Sequence, residues 1–301
     1  MTADRHSSIR GLVSARTLRM RSASNWQRFR AANRVARSSV VGDAPAIVSL
    51  TTYGDRISTV FHTIESIGRG SVKPRRLVLW LDHDELARGI PVELHRLVSR
   101  GLEVRGTMNY RSHKKYYPAI SLIREASDEL SLVTADDDVY YPHRWLEGLV
   151  SAKRCAPGEV HCYRAWRIRI AGGKIARYGD WSLCRSTIPS LLNFAVGVSG
   201  VIYPTAVVNR VESLGERFMD YAPRADDVWL HSAAVETGTR VHQINADPAH
   251  YPFIPGTQDL TLAMTNVEAG GNDEQIRRTY SPASIETLNA HATFESEGNF
   301  T

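Results

Sequence analysis

The sequence predicts an α/β fold, a mostly parallel central sheet with helices on both faces, merged with a smaller half of mixed sheet. Three observations predict it. Between residues 46 and 134, short aliphatic runs alternate with segments of helical periodicity. One such run, Leu130 to Val133, leads straight into Asp136-Asp137-Asp138, and the carboxyl ends of strands are where open α/β sheets bind ligands. Past residue 160 the alternation gives way to a hairpin pattern around Gly172-Gly173 and a glycine-bearing strand.

The elements follow in order. Ala44-Pro45 opens the folded region, Ala46 to Thr52 reads as a first strand, and Ile57 to Ile67 as a helix with Val60, Ile64 and Ile67 on one face. Arg75 to Asp82 is a second strand, and Pro91 starts a helix that runs to about Arg100. Leu102 to Arg105 is a short third strand, followed by a helix over 118–129 and a strand over 130–134. Residues 142–154 are helical, with Trp145, Leu146 and Leu149 inward. His161 to Ile170 and Lys174 to Tyr178 form the hairpin, and Val196 to Tyr203 a strand whose glycines mark a close approach. A helix over 226–237, a strand over 240–244 and helices over 258–269 and 273–279 complete the domain. The final twenty residues are polar, with little periodicity, and are expected to be loosely held.

At 301 residues with 43% hydrophobic and 23% charged side chains, the chain has ordinary globular composition and ample material for a core. No apolar stretch approaches the length of a membrane span. The net charge of +5 conceals an asymmetry: residues 1–40 hold nine arginines, no lysine and one acid, or +8, and the remainder carries −3. Such a segment suits an anionic membrane surface, where each basic side chain is worth about 1 kcal/mol. It also suits a solvated or docked helix, a nucleic-acid-binding arm or a transit peptide, and nothing later in the chain favours nucleic acid. Cys155, Cys162 and Cys184 are odd in number and lack paired spacing, and the N-terminus has no secretory apolar region. Both features favour a reducing, cytoplasmic setting.

The acidic triplet carries the chemistry. Clustered carboxylates repel, and a site that keeps them together supplies a cation; oxygen-only ligands favour Mg²⁺ or Mn²⁺, ions that also hold phosphates. An acidic turn capping the helix near Pro142 would account for one carboxylate and not three.

Four stretches in order resemble a known family. They are Leu50-Thr51-Thr52-Tyr53-Gly54-Asp55-Arg56-Ile57, Leu79-Trp80-Leu81-Asp82, Thr134 to Pro142 with its triplet, and Ala225-Asp226-Asp227-Val228-Trp229-Leu230. Together they resemble the GT-A-fold glycosyltransferases, and are most similar to bacterial family-2-like enzymes of capsule, lipopolysaccharide and cell-wall polysaccharide assembly. The resemblance spans residues 46–280. It implies transfer of a single sugar from a nucleotide diphosphate sugar to a hydroxyl of a glycan or lipid-linked glycan, with Mn²⁺ or Mg²⁺ as cofactor. It also implies a nucleotide-binding half over 44–142 and an acceptor half over 143–281, flanked by a basic tail or surface helix over 1–43 and a loose tail over 282–301.

Residue roles follow from the same resemblance. Asp136 and Asp138 match the metal-binding DxD pair, with Asp138 the first choice for direct ligand, and Asp137 joins the donor site. Thr51, Tyr53, Arg56 and Asp82 match positions that hold base and ribose; an aromatic ring can stack on a base and a carboxylate can accept from ribose hydroxyls. Lys114 and Lys115 precede the carboxylate strand and suit a diphosphate as compact point charges. Asp226-Asp227 matches the acidic pair that supplies the general base of inverting enzymes, with Asp227 favoured. Gly197 and Gly200 match a glycine strand beside the donor sugar. His250, ahead of His242, is the histidine candidate for the metal. Trp181 is chosen ahead of Trp166 and Tyr178 as an acceptor platform, with core packing the other reading for all three.

Two other classes compete. A phosphatase with an aspartyl nucleophile carries its DxD on an early strand with Thr or Val two places on; here the triplet lies at 136–138 and that position is Tyr140. A non-catalytic nucleotide- or glycan-binding scaffold has no need of both the triplet and the Asp226-Asp227 pair. The expected location is cytoplasmic, with peripheral attachment to the inner membrane face through residues 1–40.

Overall fold

The computed structural model describes residues 3–126, 129–257 and 271–298, with side chains from Leu18 onward except Arg19. The helix expected over 258–269 lies outside the described residues. Among the described residues there are twelve strands: β1 (Ala44–Thr51), β2 (Pro74–Asp82), β3 (Leu102–Thr107), β4 (Ser131–Thr134), β5 (Val160–Cys162), β6 (Ala165–Arg167), β7 (Ile170–Ala171), β8 (Lys174–Ile175), β9 (Ser182–Leu183), β10 (Asn193–Ala195), β11 (Val201–Tyr203) and β12 (Val241–Gln243). The helices are α1 (Ala3–Val35), α2 (Phe61–Gly68), α3 (His83–Ala87), α4 (Val92–Val98), α5 (Ala119–Arg124), α6 (Trp145–Cys155), α7 (Thr205–Leu214), α8 (Phe218–Tyr221), α9 (Asp226–Glu236), α10 (Gly271–Thr279) and α11 (Pro282–Ser296).

Seven strands form the central sheet in the order β12-β5-β11-β4-β1-β2-β3. β4, β1, β2 and β3 run parallel, β11 lies antiparallel to both β4 and β5, and β12 is parallel to β5. The expected α/β class and mostly parallel sheet are therefore present. Strand order reverses beside β1, which has β2 on one flank and β4 on the other, and that switch point opens a crevice at the carboxyl ends of these strands.

Alternation along the strands divides the core between the two faces. Val48, Leu50, Leu77, Leu79, Leu81 and Val133 pack with α2, α4 and α6 on one face. Ile47, Val78, Trp80 and Leu132 pack with α5, α7 and α9 on the other. Burial on both faces explains why β1 and β2 read as near-continuous apolar runs. The expected face of α2 holds, with Val60, Ile64 and Ile67 all buried.

Three elements depart from the sequence reading. The expected strand over 196–203 is broken: β10 lies in a small antiparallel sheet with β6 and β9, a tight turn occupies Gly197–Ser199, and β11 joins the central sheet. Gly200 sits at φ +83 in that break, a conformation that glycine adopts without strain. The Gly172-Gly173 turn is present, but the strands it joins, β7 and β8, are only two residues each. Third, residues 282–296 form α11, with Leu288 buried, Ser281 capping its start, and Glu295 accepting from Ser190 and pairing with Arg167.

Of the two readings for residues 1–43, tail or surface helix, α1 follows the helical one. The second half of α1 docks on the domain: Phe29, Ala32 and Asn33 are buried, Trp26 stacks on His62 and Phe29 on Tyr140. Asn33 donates to Glu65 and to the Glu93 carbonyl, and Glu65 makes a two-point ion pair with Arg100, both fully buried.

Candidate functional site

A cleft of about 950 Å³ lies over the switch point. It is lined from the end of β1 and the turn after it by Thr51, Tyr53 and Arg56, from the end of β2 by Asp82, and from the loop after β4 by Asp136, Asp137 and Asp138. Register explains the convergence: Ser49 pairs with Thr134 and Thr51 with Trp80, so the loops after β1, β2 and β4 leave the sheet on one side at nearly one level. Lys114, Lys115, Asp226, Asp227 and His250 complete the lining drawn from the expected residues.

The triplet divides its work. Asp137 turns toward β1, where Thr52 donates to one oxygen at 2.5 Å and Arg56 to the other at 3.0 Å. The Thr63 hydroxyl anchors the same turn through the carbonyls of Asp137 and Val139. Burial raises the Asp137 carboxyl above its ordinary range, with Arg56 and Thr52 opposing. Asp138 has the Arg56 guanidinium at 3.4 Å, and the Asp136 side chain, the most open of the three at 28% exposure, accepts from Lys115 at 2.8 Å. Asp136 and Asp138 thus offer the cleft the hard oxygen donors that Mn²⁺ or Mg²⁺ takes, with cationic side chains already holding the like charges together.

Lys115 bridges the two acidic groups, 2.8 Å from Asp136 and 2.9 Å from Asp226 Oδ2. Burial pulls its pKa down, yet Asp136, Asp226 and Asp227 together hold it well above the usual lysine range. Lys114, buried beside it, pairs with Asp82 at 2.6 Å. Both sit on a short turn, Arg111–Lys115, pinned by His113, whose ring bonds the Tyr116 hydroxyl at 2.8 Å and the Ala222 carbonyl at 2.7 Å.

Asp227, in the first turn of α9, accepts from the Gly197 N–H at 3.2 Å to each oxygen. Burial first, then the Asp226 charge, push its carboxyl up to about 8. A methyl group added at Gly197 would sit 3.1 Å from Asp227 Oδ1, 3.1 Å from Lys115 Nζ and 3.6 Å from Asp136 Oδ1. Three charged groups from three elements therefore face one small space that glycine leaves open.

Three expected positions fall elsewhere or act otherwise. Gly200 is outside the cleft: a methyl group there would meet the Trp145 ring at 2.4 Å, so this glycine admits an indole and not a sugar. Trp181 is 5% exposed, donates to the Ala176 carbonyl and packs on Tyr178 and Phe194; its neighbours Trp166 and Tyr178 line the cleft instead. His250 lines the cleft, but its Nδ1 faces Arg164 at 2.8 Å and it does not converge with Asp136 and Asp138. Among the described residues, the three-ligand cluster with metal-binding spacing is Glu159, His161 and His242. Thr51 lines the cleft, though its hydroxyl is donated to the Trp80 carbonyl. Tyr53 stands exposed at the rim, with the Arg56 guanidinium 5.8 Å from its ring centre.

Arg111, Arg164 and Arg224, which the sequence reading did not point to, also line the cleft and bring it positive charge. The alternation Arg164-Ala165-Trp166 was a signal for two of the lining side chains, since residues two apart on a strand share a face. Arg164 lies 5.9 Å from the Trp166 ring centre. Arg111 had no such signal; it is the non-glycine residue at positive φ among those described.

No protein-family model matches the chain, and no curated protein matches it. Solved structures do. A mannosyltransferase from Pyrobaculum calidifontis, in complex with GDP-Man and Mn²⁺, is 12% identical over 93% of this chain and 80% of that one, with a TM-score of 0.48. An inositol-1-phosphate CTP transferase from T. maritima is 13% identical over 79% of this chain and 99% of that one, with a TM-score of 0.38.

Proposed function

We propose that the protein is a metal-dependent glycosyltransferase of GT-A type that moves one sugar from a nucleotide diphosphate sugar to a glycan or lipid-linked glycan hydroxyl, with inversion. The observation that carries this reading is the convergence of Asp227, Lys115 and Asp136 on the space left by Gly197. A carboxylate able to act as general base, a cation able to offset diphosphate charge and a carboxylate able to ligate a divalent ion are parts that serve displacement at an anomeric carbon.

In the reaction the acceptor oxygen attacks the anomeric carbon, and its proton passes to Asp227 as the bond to the donor diphosphate breaks. A carboxyl poised near 8 is well matched to take a proton around neutral pH. The N–H of Gly197 holds the carboxylate in place. The bonding pair leaves with the nucleoside diphosphate, whose charge Lys115 offsets. A divalent ion held by Asp136 and Asp138 would supply Lewis-acid help to the same leaving group. Tyr53 and Asp82, which line the cleft, would take the base and ribose in this reading, and the lining rings of Trp166 and Tyr178 would take an acceptor sugar.

The test is calorimetric binding of UDP, GDP, CDP and dTDP, each with Mn²⁺, with Mg²⁺ or with chelator. The expected result is preference for one nucleotide, lost with chelator and in Asp138→Ala, followed by sugar transfer of inverted anomeric configuration by NMR. Binding without turnover under any acceptor would favour the non-catalytic scaffold, and retained configuration would remove Asp227 from the base role.

Membrane attachment belongs to the same proposal. No helix among the described residues is long and apolar enough to cross a membrane. The +8 of residues 1–40 would hold the protein against anionic lipid, near a lipid-linked acceptor. Removal of residues 1–17 together with Arg21→Gln, Arg28→Gln, Arg30→Gln, Arg34→Gln and Arg37→Gln, all exposed, which spares the packed side chains of α1, should reduce sedimentation with anionic vesicles; unchanged binding would sink this part.

A further inference from the structure

The edge of the central sheet farthest from β3 carries a second cluster with ligand chemistry, outside the cleft. β12 is the edge strand, paired in parallel with β5, and the register places His242 directly beside His161. Their Nδ1 atoms lie 2.9 Å apart, and Glu159, just before β5, brings a carboxylate oxygen so that all three ligand atoms fall within 4.8 Å of one another.

The ring orientation is not arbitrary. His161 is fully buried, and its Nε2 lies 2.8 Å from the Ala156 carbonyl, an acceptor only, so that nitrogen carries the proton. The Nδ1 lone pair of His161 is thereby aimed at His242 and Glu159. A histidine whose far N–H is fixed by a backbone carbonyl is the usual arrangement behind a metal ligand, because it sets tautomer and orientation together. Burial also holds His161 well below the usual histidine range, so the ring stays neutral, as ligation requires.

We propose that Glu159, His161 and His242 form a binding site for a borderline divalent transition ion, Zn²⁺ foremost, that clips the edge strand β12 to β5. Two imidazoles and one carboxylate suit zinc, whereas the oxygen-only donors of the cleft suit Mg²⁺ or Mn²⁺. Tetrahedral zinc with bonds of about 2.0–2.2 Å places ligand atoms roughly 3.3 Å apart. The histidine pair therefore opens by a few tenths of an ångström and the Glu159 carboxylate closes by a side-chain rotation. In the free protein the proton on His242 Nδ1 lies between the two rings, and Arg240, 3.3 Å from Glu159, offsets the carboxylate. Ion binding moves the His242 proton to Nε2 and takes the place of Arg240, with no net change in protonation. His242 and Glu159 are only partly buried, which leaves an entry path and room for a water as fourth ligand.

A three-residue edge strand holds few ladder hydrogen bonds, and an ion joining it to its neighbour supplies what length does not. β5 leads through Tyr163 to Arg164 and Trp166 in the cleft, and Gln243 of β12 bonds the backbone at Ala165, Cys184 and Asn245. The clip would thus steady one wall of the cleft from outside.

The test is titration of Zn²⁺, and separately Co²⁺, into the chelator-stripped full chain with millimolar Mg²⁺ present to occupy the oxygen site. The expected result is one tight equivalent of Zn²⁺ and, for Co²⁺, the visible spectrum of a four-coordinate nitrogen-ligated ion, which six-coordinate oxygen sites lack. His242→Gln and Glu159→Gln, both partly exposed positions, should each weaken binding by at least about tenfold with circular dichroism unchanged. Asp138→Asn should leave both signals intact. Binding weaker than about millimolar, binding unaffected by His242→Gln, or loss of the signal in Asp138→Asn would each overturn the proposal.

Discussion

Two glycines three residues apart show how differently one residue type serves this molecule. Gly197 keeps open a space that Asp227, Lys115 and Asp136 face, whereas Gly200 bends the chain at φ +83 and admits the Trp145 ring. Gly197→Ala should lower turnover by about a hundredfold, the scale of a misplacement near 1 Å, with thermal stability nearly unchanged. Gly200→Ala should do the reverse, costing about 1–3 kcal/mol of stability in a denaturant melt through overpacking and backbone strain. In the proposed reaction Asp227 supplies the pH dependence. Its folded carboxyl keeps a proton up to about 8, against an ordinary 3.8. The folded state thus binds that proton more tightly than the unfolded chain: the stabilisation is complete below 3.8 and is lost as pH rises through 8. Activity should move oppositely, rising with pH as the base ionises, and a cation at Asp136 and Asp138 should shift that limb to lower pH. In Asp227→Asn a pH–rate profile should lose the limb along with most of the rate. A rate independent of pH between 5 and 9 in the native protein would remove Asp227 as base.

Helix α1 illustrates what an element-level reading of charge leaves out. Nine arginines mark residues 1–40 as an appendage, yet Trp26, Phe29 and Asn33 bind the helix to the domain, and Asn33 reaches the fully buried Glu65–Arg100 pair. Removing Arg100 leaves the buried Glu65 carboxylate with the Asn33 amide and the more distant Arg69 guanidinium, 3.8 Å away, and so poorly compensated. Arg100→Met should therefore cost about 3–5 kcal/mol, whereas exchanging both residues for apolar ones of similar volume should cost far less; urea unfolding of the two variants decides it. α11 was hidden for a related reason. Its polar sequence lacks a clear apolar face, and its place depends on Leu288 and on Glu295 meeting Ser190 and Arg167 more than a hundred residues away in the chain. The parallel strands were easier to read, because burial on both faces writes a continuous apolar run into each one.

At the scale of the whole molecule, the cleft exists because strand order reverses at β1, and loops far apart in sequence end there together. A ligand that bridges those loops should stabilise the entire fold. For the preferred nucleoside diphosphate with Mn²⁺, at a hundred times its dissociation constant, linkage gives about 2.7 kcal/mol. A melting temperature raised by nucleotide with Mn²⁺, and returned to baseline by chelator or Asp138→Ala, is the expected outcome. A rise that survives chelation would separate nucleotide binding from the metal.

By itself the sequence determined the α/β class, most strand positions and the loops that carry the acidic triplet, Lys114-Lys115 and Asp226-Asp227, because burial and the ends of strands leave local periodic marks. Tertiary structure alone decided what those groups meet. It turned Asp137 inward to Thr52 and Arg56, put Trp181 in the core and Trp166 and Tyr178 at the cleft, and drew His250 to Arg164. It also set His161 beside His242, eighty-one positions apart. Side-chain direction at a loop or strand edge depends on register and on partners distant in the chain, and neither leaves a trace in local pattern.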